Sequence, residues 1–347
     1  MRKVFAFVLT TLLLTSTLLA PGCKKGDDSP TSPDEAAVTQ LKANGAIAPV
    51  SRTQVQGTVF VSDQTGNPVT GLASTNFSAR LRFGAGVSKI TADSISGVVT
   101  IQTVSASGKK VAVGMTMDYS GSMFAGDTVV GGKYKRISDM ESGVKTFFNA
   151  LKTGDLGEVI KFGSTVDYIF PFTGDKTRLC RAVDSLCDSR GNTALYSSMY
   201  RALQDAGAQS ASSYARAVVA FTDGGENNST ETRSQVITLA KQLGIPIYTI
   251  GLLDASYHST PPGQYSSAEK DLVEFADTTG GFYFYAPAAA QLSTIYTQIS
   301  GQLSNAVQIT IVWPSTGLPA SGTTVQAVVT VTYSGCTTTF TKTYVMP

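Results

Sequence analysis

The chain has 347 residues, 27 Lys and Arg against 25 Asp and Glu, one His, four Cys and 33 Gly, a length that fits two domains or one large domain with an appendage. A hydrophobic content of 42% is enough for a full core and excludes a disordered chain; a net charge of +2 with 15% charged residues excludes the basic patch of a nucleic-acid binder. The single imidazole, His258, leaves a zinc site to Cys and carboxylate ligands, and a Ser-His-Asp hydrolase to that one residue.

Residues 1–22 read as an export signal. Arg2 and Lys3 precede an apolar run, Val4 to Ala20, that is short for a membrane span of about 20 predominantly apolar residues. The run ends in Leu19-Ala20-Pro21-Gly22-Cys23, which resembles the lipobox of bacterial lipoproteins, with Pro21 where Ala or Ser is usual. The resemblance implies that Cys23 becomes the lipidated first residue of the mature chain; an ordinary signal peptide with an incidental cysteine is the alternative. Cleavage leaves 25 charges of each sign, so attachment to a membrane is expected through acyl chains rather than by electrostatic attraction. Residues 23–50 read as a flexible tether, because Lys24 to Glu35 carries Gly, Asp, Ser and Pro and no large apolar side chain. Lys24, rather than Asp, after Cys23 resembles the sorting pattern for the outer membrane, so the expected location is the bacterial cell envelope, on its periplasmic or surface face.

Residues 51–107 form an N-terminal β segment by pattern. Val55 to Val61 is β-branched and roughly alternating, Asp63 to Pro68 is a turn cluster, and Phe77 to Phe83 and Gly97 to Val104 give further strands. Residues 108–304 alternate strand and helix. Val111 to Met117 is a nearly continuous apolar run, as a strand buried on both faces should be. Ile137, Met140, Val144, Phe147, Phe148 and Leu151 then lie on one helical stripe. Strands at 157–162, 166–170, 217–221, 245–253 and 282–285 follow, with helices around Leu195 to Leu203, Val236 to Leu243, Leu272 to Ala276 and Gln291 to Leu303. The expected fold is a doubly wound, mostly parallel α/β sheet with helices on both faces. Residues 305–347 return to strands rich in Val, Thr, Ile and Tyr. Neither flank has enough strands to stand alone, so the two are expected to pair into one smaller β-sandwich-like domain, with the α/β unit inserted between them.

If Cys23 is acylated, Cys180 and Cys187 are a candidate disulfide. On one continuous helix they would be separated by about 10.5 Å of rise, beyond the roughly 4.4–6.8 Å that a disulfide spans. Pairing therefore requires the helix to end between them, as Asp188-Ser189-Arg190-Gly191 suggests. Cys336 reads as a buried or turn thiol.

In an open α/β sheet, ligands bind beyond the carboxyl ends of the strands. The first strand of the α/β region runs into Asp118-Tyr119-Ser120-Gly121-Ser122-Met123, and the fourth into Phe221-Thr222-Asp223-Gly224-Gly225. A loop before a helix reads Gly191-Asn192-Thr193-Ala194-Leu195. Two carboxylates and three hydroxyls thus fall on one rim, an oxygen-only set suited to a hard divalent cation. Three hydroxyls keep the formal charge low, leaving the ion electrophilic toward an incoming carboxylate.

These residues resemble the metal-ion-dependent adhesion site of the von Willebrand factor type A family, whose pattern is Asp-x-Ser-x-Ser followed by a later Thr and a later Asp. Asp118, Ser120 and Ser122 match the first part, and Thr193 and Asp223 sit in the expected Gly-Asn-Thr-Ala-Leu and Thr-Asp-Gly-Gly contexts. The resemblance runs from roughly Lys109 to Leu303. It implies direct ligation by the two serines, ligation by Thr193 in the ligand-binding state, and direct or water-mediated roles for the two aspartates. The implied cofactor is Mg2+, or Mn2+ or Ca2+ in its place. The implied partner is a protein offering an Asp or Glu carboxylate, as in adhesion or envelope-complex assembly. Tyr119 stands where a small residue is commoner, and with Phe124 and His258 it is a candidate partner contact. Asp127, Asp139 and Glu141 read as a solvated loop and helix start rather than a second metal site. Two other functions remain open on sequence: a scaffold stiffened by its metal, and a hydrolase in which Ser120 is the nucleophile or the metal activates water.

Overall fold

The computed structural model describes residues 37–84, 93–103, 109–125, 129–130, 132–187, 189–223, 225–252, 258, 266–286 and 291–347. The signal segment, Cys23 and Asp127 lie outside the described residues. No helix among the described residues is long and apolar enough to cross a membrane.

The chain opens with strands β1 (Lys42–Ser51), β2 (Gln54–Ser62), β3 (Phe77–Phe83) and β4 (Asp93–Thr103). The tether expected over residues 23–50 therefore stops short: its last residues form β1, paired antiparallel along the whole of β2. The α/β region follows with β5 (Lys110–Asp118), a two-stranded β6 (Val129–Val130) and β7 (Lys133–Tyr134), α1 (Lys135–Ala150), β8 (Leu156–Phe162) and β9 (Val166–Thr173). It continues through α2 (Lys176–Asp184), α3 (Leu195–Gly207), β10 (Tyr214–Thr222), α4 (Arg233–Leu243), β11 (Ile247–Gly251), α5 (Ser267–Thr279), β12 (Tyr283–Tyr285) and α6 (Leu292–Ser304). Strands β13 (Val307–Val312), β14 (Thr324–Tyr333) and β15 (Cys336–Val345) complete the chain.

The six-stranded sheet has the order β12-β11-β10-β5-β8-β9, parallel except for β9. Alternation explains the apolar run of β10. Ala217, Val219 and Phe221 face a core shared with α1, α2 and α6, whereas Val218 and Ala220 face a second core shared with α3, α4 and α5. With both faces covered, the stretch from Ala217 to Phe221 is wholly apolar, and the polar residues Arg216 and Thr222 sit toward the strand's ends.

The seven-stranded sheet has the order β1-β2-β13-β4-β3-β14-β15, so strands from both ends of the chain share it. β13 lies between β2 and β4, and β14 pairs with β3. β4 serves two neighbours along its length: up to Gly97 it pairs with β3, and from Val98 onward with β13. Gly97 is required at that change, because a Cβ there would lie 2.6 Å from the ring of buried Trp313. The two sheets meet through named contacts. Phe60 of β2 enters the α/β core edge-on to Tyr248 at 5.6 Å, Asn44 Nδ2 donates to Gly281 O at 2.7 Å, and Gln302 Nε2 donates to Gly66 O at 3.1 Å.

The helix carrying Cys180 does end before Cys187, at Asp184, yet the two cysteines are not joined to each other. Cys336, buried at the start of β15, is not a thiol but disulfide-bonded.

Candidate functional site

The site grows out of two adjacent strand ends. β5 and β10 are parallel neighbours with Met117 opposite Phe221, so Asp118 and Thr222 emerge side by side at the carboxyl edge. Both are fully buried. Thr222 Oγ1 donates to Asp118 Oδ2 at 2.6 Å, and the Ser120 amide donates to Asp118 Oδ1 at 2.7 Å. A short 3-10 turn, Gly121–Met123, then brings Ser122 back, so that its hydroxyl lies 3.2 Å from that of Ser120 and donates to Asp223 Oδ1 at 2.6 Å. Four of the five sequence candidates are thus joined in one hydrogen-bonded chain.

Thr193 arrives on a separate loop that is knitted to the first. The amide of Gly121 donates to Gly191 O at 2.9 Å, that of Arg190 to Tyr119 O at 3.2 Å and that of Ala194 to Gly163 O at 2.7 Å. Thr193 is buried, and its amide donates to Asn227 Oδ1 at 2.7 Å. Glycine is needed where the loops cross: a Cβ on Gly163 would lie 2.2 Å from Ser189 Cβ, a clash that no rotation of the serine relieves. Glu226 accepts from the amides of Asn228 and Ser229 at 2.6 Å each and from the Tyr196 amide in the first turn of α3 at 3.0 Å.

The electrostatics suit a cation. Burial raises the Asp118 carboxyl to about 7, the nearby Asp223 adds to the rise, and bonds from Thr222 and Ser120 oppose it. Burial also pushes Asp223 upward, against bonds from Ser122 and Arg136. Two buried carboxylates that disfavour one another's charge, beside hydroxyls and with no imidazole or thiolate among them, match a hard divalent ion. Asp118, Ser120, Ser122, Thr193 and Asp223 would hold it.

Tyr119 is a correction. It does not face the rim but is buried, with its hydroxyl donating to Glu141 Oε1 at 2.9 Å and Lys161 Nζ lying 4.9 Å from its ring centroid. Glu141 is likewise buried rather than solvated, and Lys133 Nζ lies 2.5 Å from its Oε2. Asp139 pairs with Lys135. Phe124 remains at the site, half-buried, edge-on to Tyr134 at 5.1 Å and under the Arg190 guanidinium at 4.7 Å. His258 is mostly covered: its Nδ1 lies 2.5 Å from buried Glu269 Oε1, and its ring stacks on Tyr285 at 3.5 Å.

Sequence reading missed Thr222, Asn227, Glu226 and Arg136 as contributors. The first three lie within four residues of Asp223 and carry no pattern of their own. Arg136 lies 87 residues before Asp223 and meets it only through the fold, Nη1 to Oδ2 at 3.1 Å.

Among solved structures, the chain is similar to the protein BatB from Bacteroides thetaiotaomicron, with 20% identity, 55% of this chain and 98% of that one covered, and a TM-score of 0.43. It is similar to the vWF domain of the type V pilus tip protein Mfa5 from Porphyromonas gingivalis, with 15% identity, coverage of 56% and 94%, and a TM-score of 0.41. It is also similar to proximal thread matrix protein 1 from the mussel byssus, solved with a zinc-occupied MIDAS motif, with 16% identity, coverage of 55% and 47%, and a TM-score of 0.43. No curated protein matches the chain. The family model of the von Willebrand factor type A domain matches residues 114–298, more than half of the sequence and the whole span from β5 into α6, and the chain belongs to that family.

Proposed function

We propose that the chain is an exported, lipid-anchored binding protein that captures a carboxylate of a partner protein through a divalent cation held by Asp118, Ser120, Ser122, Thr193 and Asp223. One observation carries this reading: the hydrogen-bonded chain from Asp118 through Ser120 and Ser122 to Asp223 gathers ligand-type oxygens at one strand edge. The ion would supply the electrophilic centre, and the loops around Phe124 and Thr193 would select the partner. Adhesion or envelope-complex assembly is the use this implies. The α/β unit is read as an insertion in a sandwich-like β domain, supported by the pairing of strands from both chain ends.

Two features support a non-catalytic role. Ser120 Oγ pairs with Ser122 Oγ, and the single imidazole is held by Glu269 and Tyr285. Neither arrangement brings the imidazole to Ser120 as a general base.

The lipid anchor rests on Leu19 to Cys23. Mass spectrometry of the mature amino terminus tests it: an acylated Cys23 is expected there, and an unmodified cysteine or a different amino terminus removes the anchor.

Calorimetric titration of the full chain with Mg2+ and Mn2+ tests the site, with Asp118→Ala as control. A saturable signal lost in the variant is expected. Water-proton relaxation of the Mn2+ complex should then respond to an added Asp- or Glu-containing peptide. A flat titration of the wild type ends the proposal. Ion binding that raises the melting temperature while no carboxylate probe reaches the ion would leave the scaffold reading in its place.

A further inference from the structure

Arg136 sits in the first turn of α1, directly after Lys135, and that turn contains no acidic residue. The amino end of a helix carries the positive end of its dipole and favours anions. A cation there is electrostatically misplaced with respect to its own helix, so its favourable interactions must come from elsewhere. They come from the site: one guanidinium nitrogen, Nη1, donates to Ser122 O at 3.0 Å and to Asp223 Oδ2 at 3.1 Å. The carboxylate it meets is almost fully buried, with its side chain 2% exposed, whereas the arginine side chain is 29% exposed. The other oxygen of Asp223 accepts from the Ser122 hydroxyl. Arg136 thus holds two of the residues assigned to the ion, from the solvent side, with a charge that persists at every working pH.

We infer that Arg136 is the internal counter-cation of this centre. It neutralises Asp223 in the ion-free protein and competes with the divalent ion for that carboxylate, setting how tightly the ion is held. This rests on the metal-binding reading above. The guanidinium and the ion draw on the same negative charge, so the presence of one weakens the hold of the other. The arginine also keeps the ion-free site folded, since it is the cation hydrogen-bonded to Asp223 among the described residues, and the Asp223 charge already disfavours that of Asp118.

The test uses the full chain and two substitutions, Arg136→Gln and Arg136→Lys. Titration with Mn2+ at fixed ionic strength should show the Gln variant binding about tenfold more tightly than wild type and the Lys variant lying between them. In EDTA the Gln variant should melt below wild type, and addition of Mn2+ should close that gap. A Gln variant that binds Mn2+ no more tightly than wild type overturns the inference. If the wild type binds no ion, the metal reading falls and the counter-cation is judged in ion-free protein by a double-mutant cycle of Arg136→Gln with Asp223→Asn. Strong coupling in EDTA keeps the Arg136–Asp223 pairing, and additive effects on the melting temperature remove it.

Discussion

The hydroxyl of Tyr119 donates to Glu141 across 2.9 Å and turns the one aromatic side chain of the Asp-x-Ser-x-Ser stretch away from the Ser120 and Ser122 hydroxyls and into the layer beneath α1. Burial and the Glu141 charge push the phenol well above its usual range, so it stays neutral and acts as a donor. Removing the hydroxyl with Tyr119→Phe leaves Glu141 with Lys133 on its other oxygen. The expected outcome is a loss of about 1–2 kcal/mol of stability, read in denaturant melts, with ion affinity unchanged. A variant of unchanged stability that loses ion or partner binding would return Tyr119 to the rim.

Much of this architecture is legible before any coordinates. β5 and β10 announce themselves as apolar runs because both faces are covered, and the helical stripe over Ile137 to Phe148 becomes the buried face of α1. Less legible is β1, Lys-Ala-Asn-Gly-Ala-Ile-Ala-Pro-Val-Ser, whose single Ile and single Val give no alternation. Its reason for existing lies in its partners, the adjacent β2 and Gly281, the latter 237 residues beyond Asn44 and invisible in the local pattern. The same holds at the site. Asp118, Ser120 and Ser122 are read from spacing, but the direction of Tyr119 depends on Glu141, 22 residues on. The helix ends between Cys180 and Cys187 as pairing would require, yet the two are not joined to each other, and Cys336, read as a thiol, is disulfide-bonded.

Asn227 is the residue that fixes Thr193. Its Oδ1 accepts from the Thr193 amide at 2.7 Å, and its own amide donates back to Thr193 O at 3.1 Å. Asn227→Ala removes the first bond and keeps the second. A loss of about 1 kcal/mol is expected, together with a several-fold weaker Mn2+ titration, because the Thr193 hydroxyl is no longer held in place. Asn227→Asp, which retains the acceptor, should recover the stability. Ion affinity equal to wild type in the Ala variant would show that the Thr193 loop is positioned by other contacts.

The junction of the two sheets turns on Gly280. It ends α5 at φ +102°, and a Cβ there would lie 2.2 Å from the backbone carbonyl carbon of Gly45 in β1. Gly280→Ala therefore meets both a left-handed backbone penalty and a backbone clash that no side-chain rotation relieves. A loss of more than about 2 kcal/mol is expected. Asn44→Ala, which deletes the 2.7 Å bond to Gly281 O, the longer one to Ala276 O and the acceptor of the Gly45 amide, should cost about 1–2 kcal/mol and leave the ion titration intact. If Gly280→Ala melts like wild type, β1 does not pack where it is described.

Glu158 sets a pH dependence that is independent of the ion. It is 1% exposed on β8, its Oε2 has no hydrogen-bond partner among the described residues, and burial, together with the charge of Asp205 and a hydrogen bond to it, raises the carboxyl to about 9. Asp205 is itself held by Arg201 Nε at 2.6 Å. The folded carboxyl therefore binds its proton far above the ordinary value of 4.5 at which the unfolded one releases it. Below pH about 4.5 both states are protonated and the group does not affect the balance. Between that point and about 9 the unfolded state binds fewer protons, so stability falls as pH rises, by up to about 1.4 kcal/mol per unit. Glu158→Gln replaces the protonated acid with a neutral donor of the same shape and removes this slope. The variant should match wild type near pH 5 and exceed it by an amount that grows through pH 7 and 8, on the order of 1–3 kcal/mol at the upper end. Parallel stability curves for the two proteins from pH 5 to 9 would mean that Glu158 is ionised in the folded protein and that water or a cation reaches it beside Gly114 and Ala202.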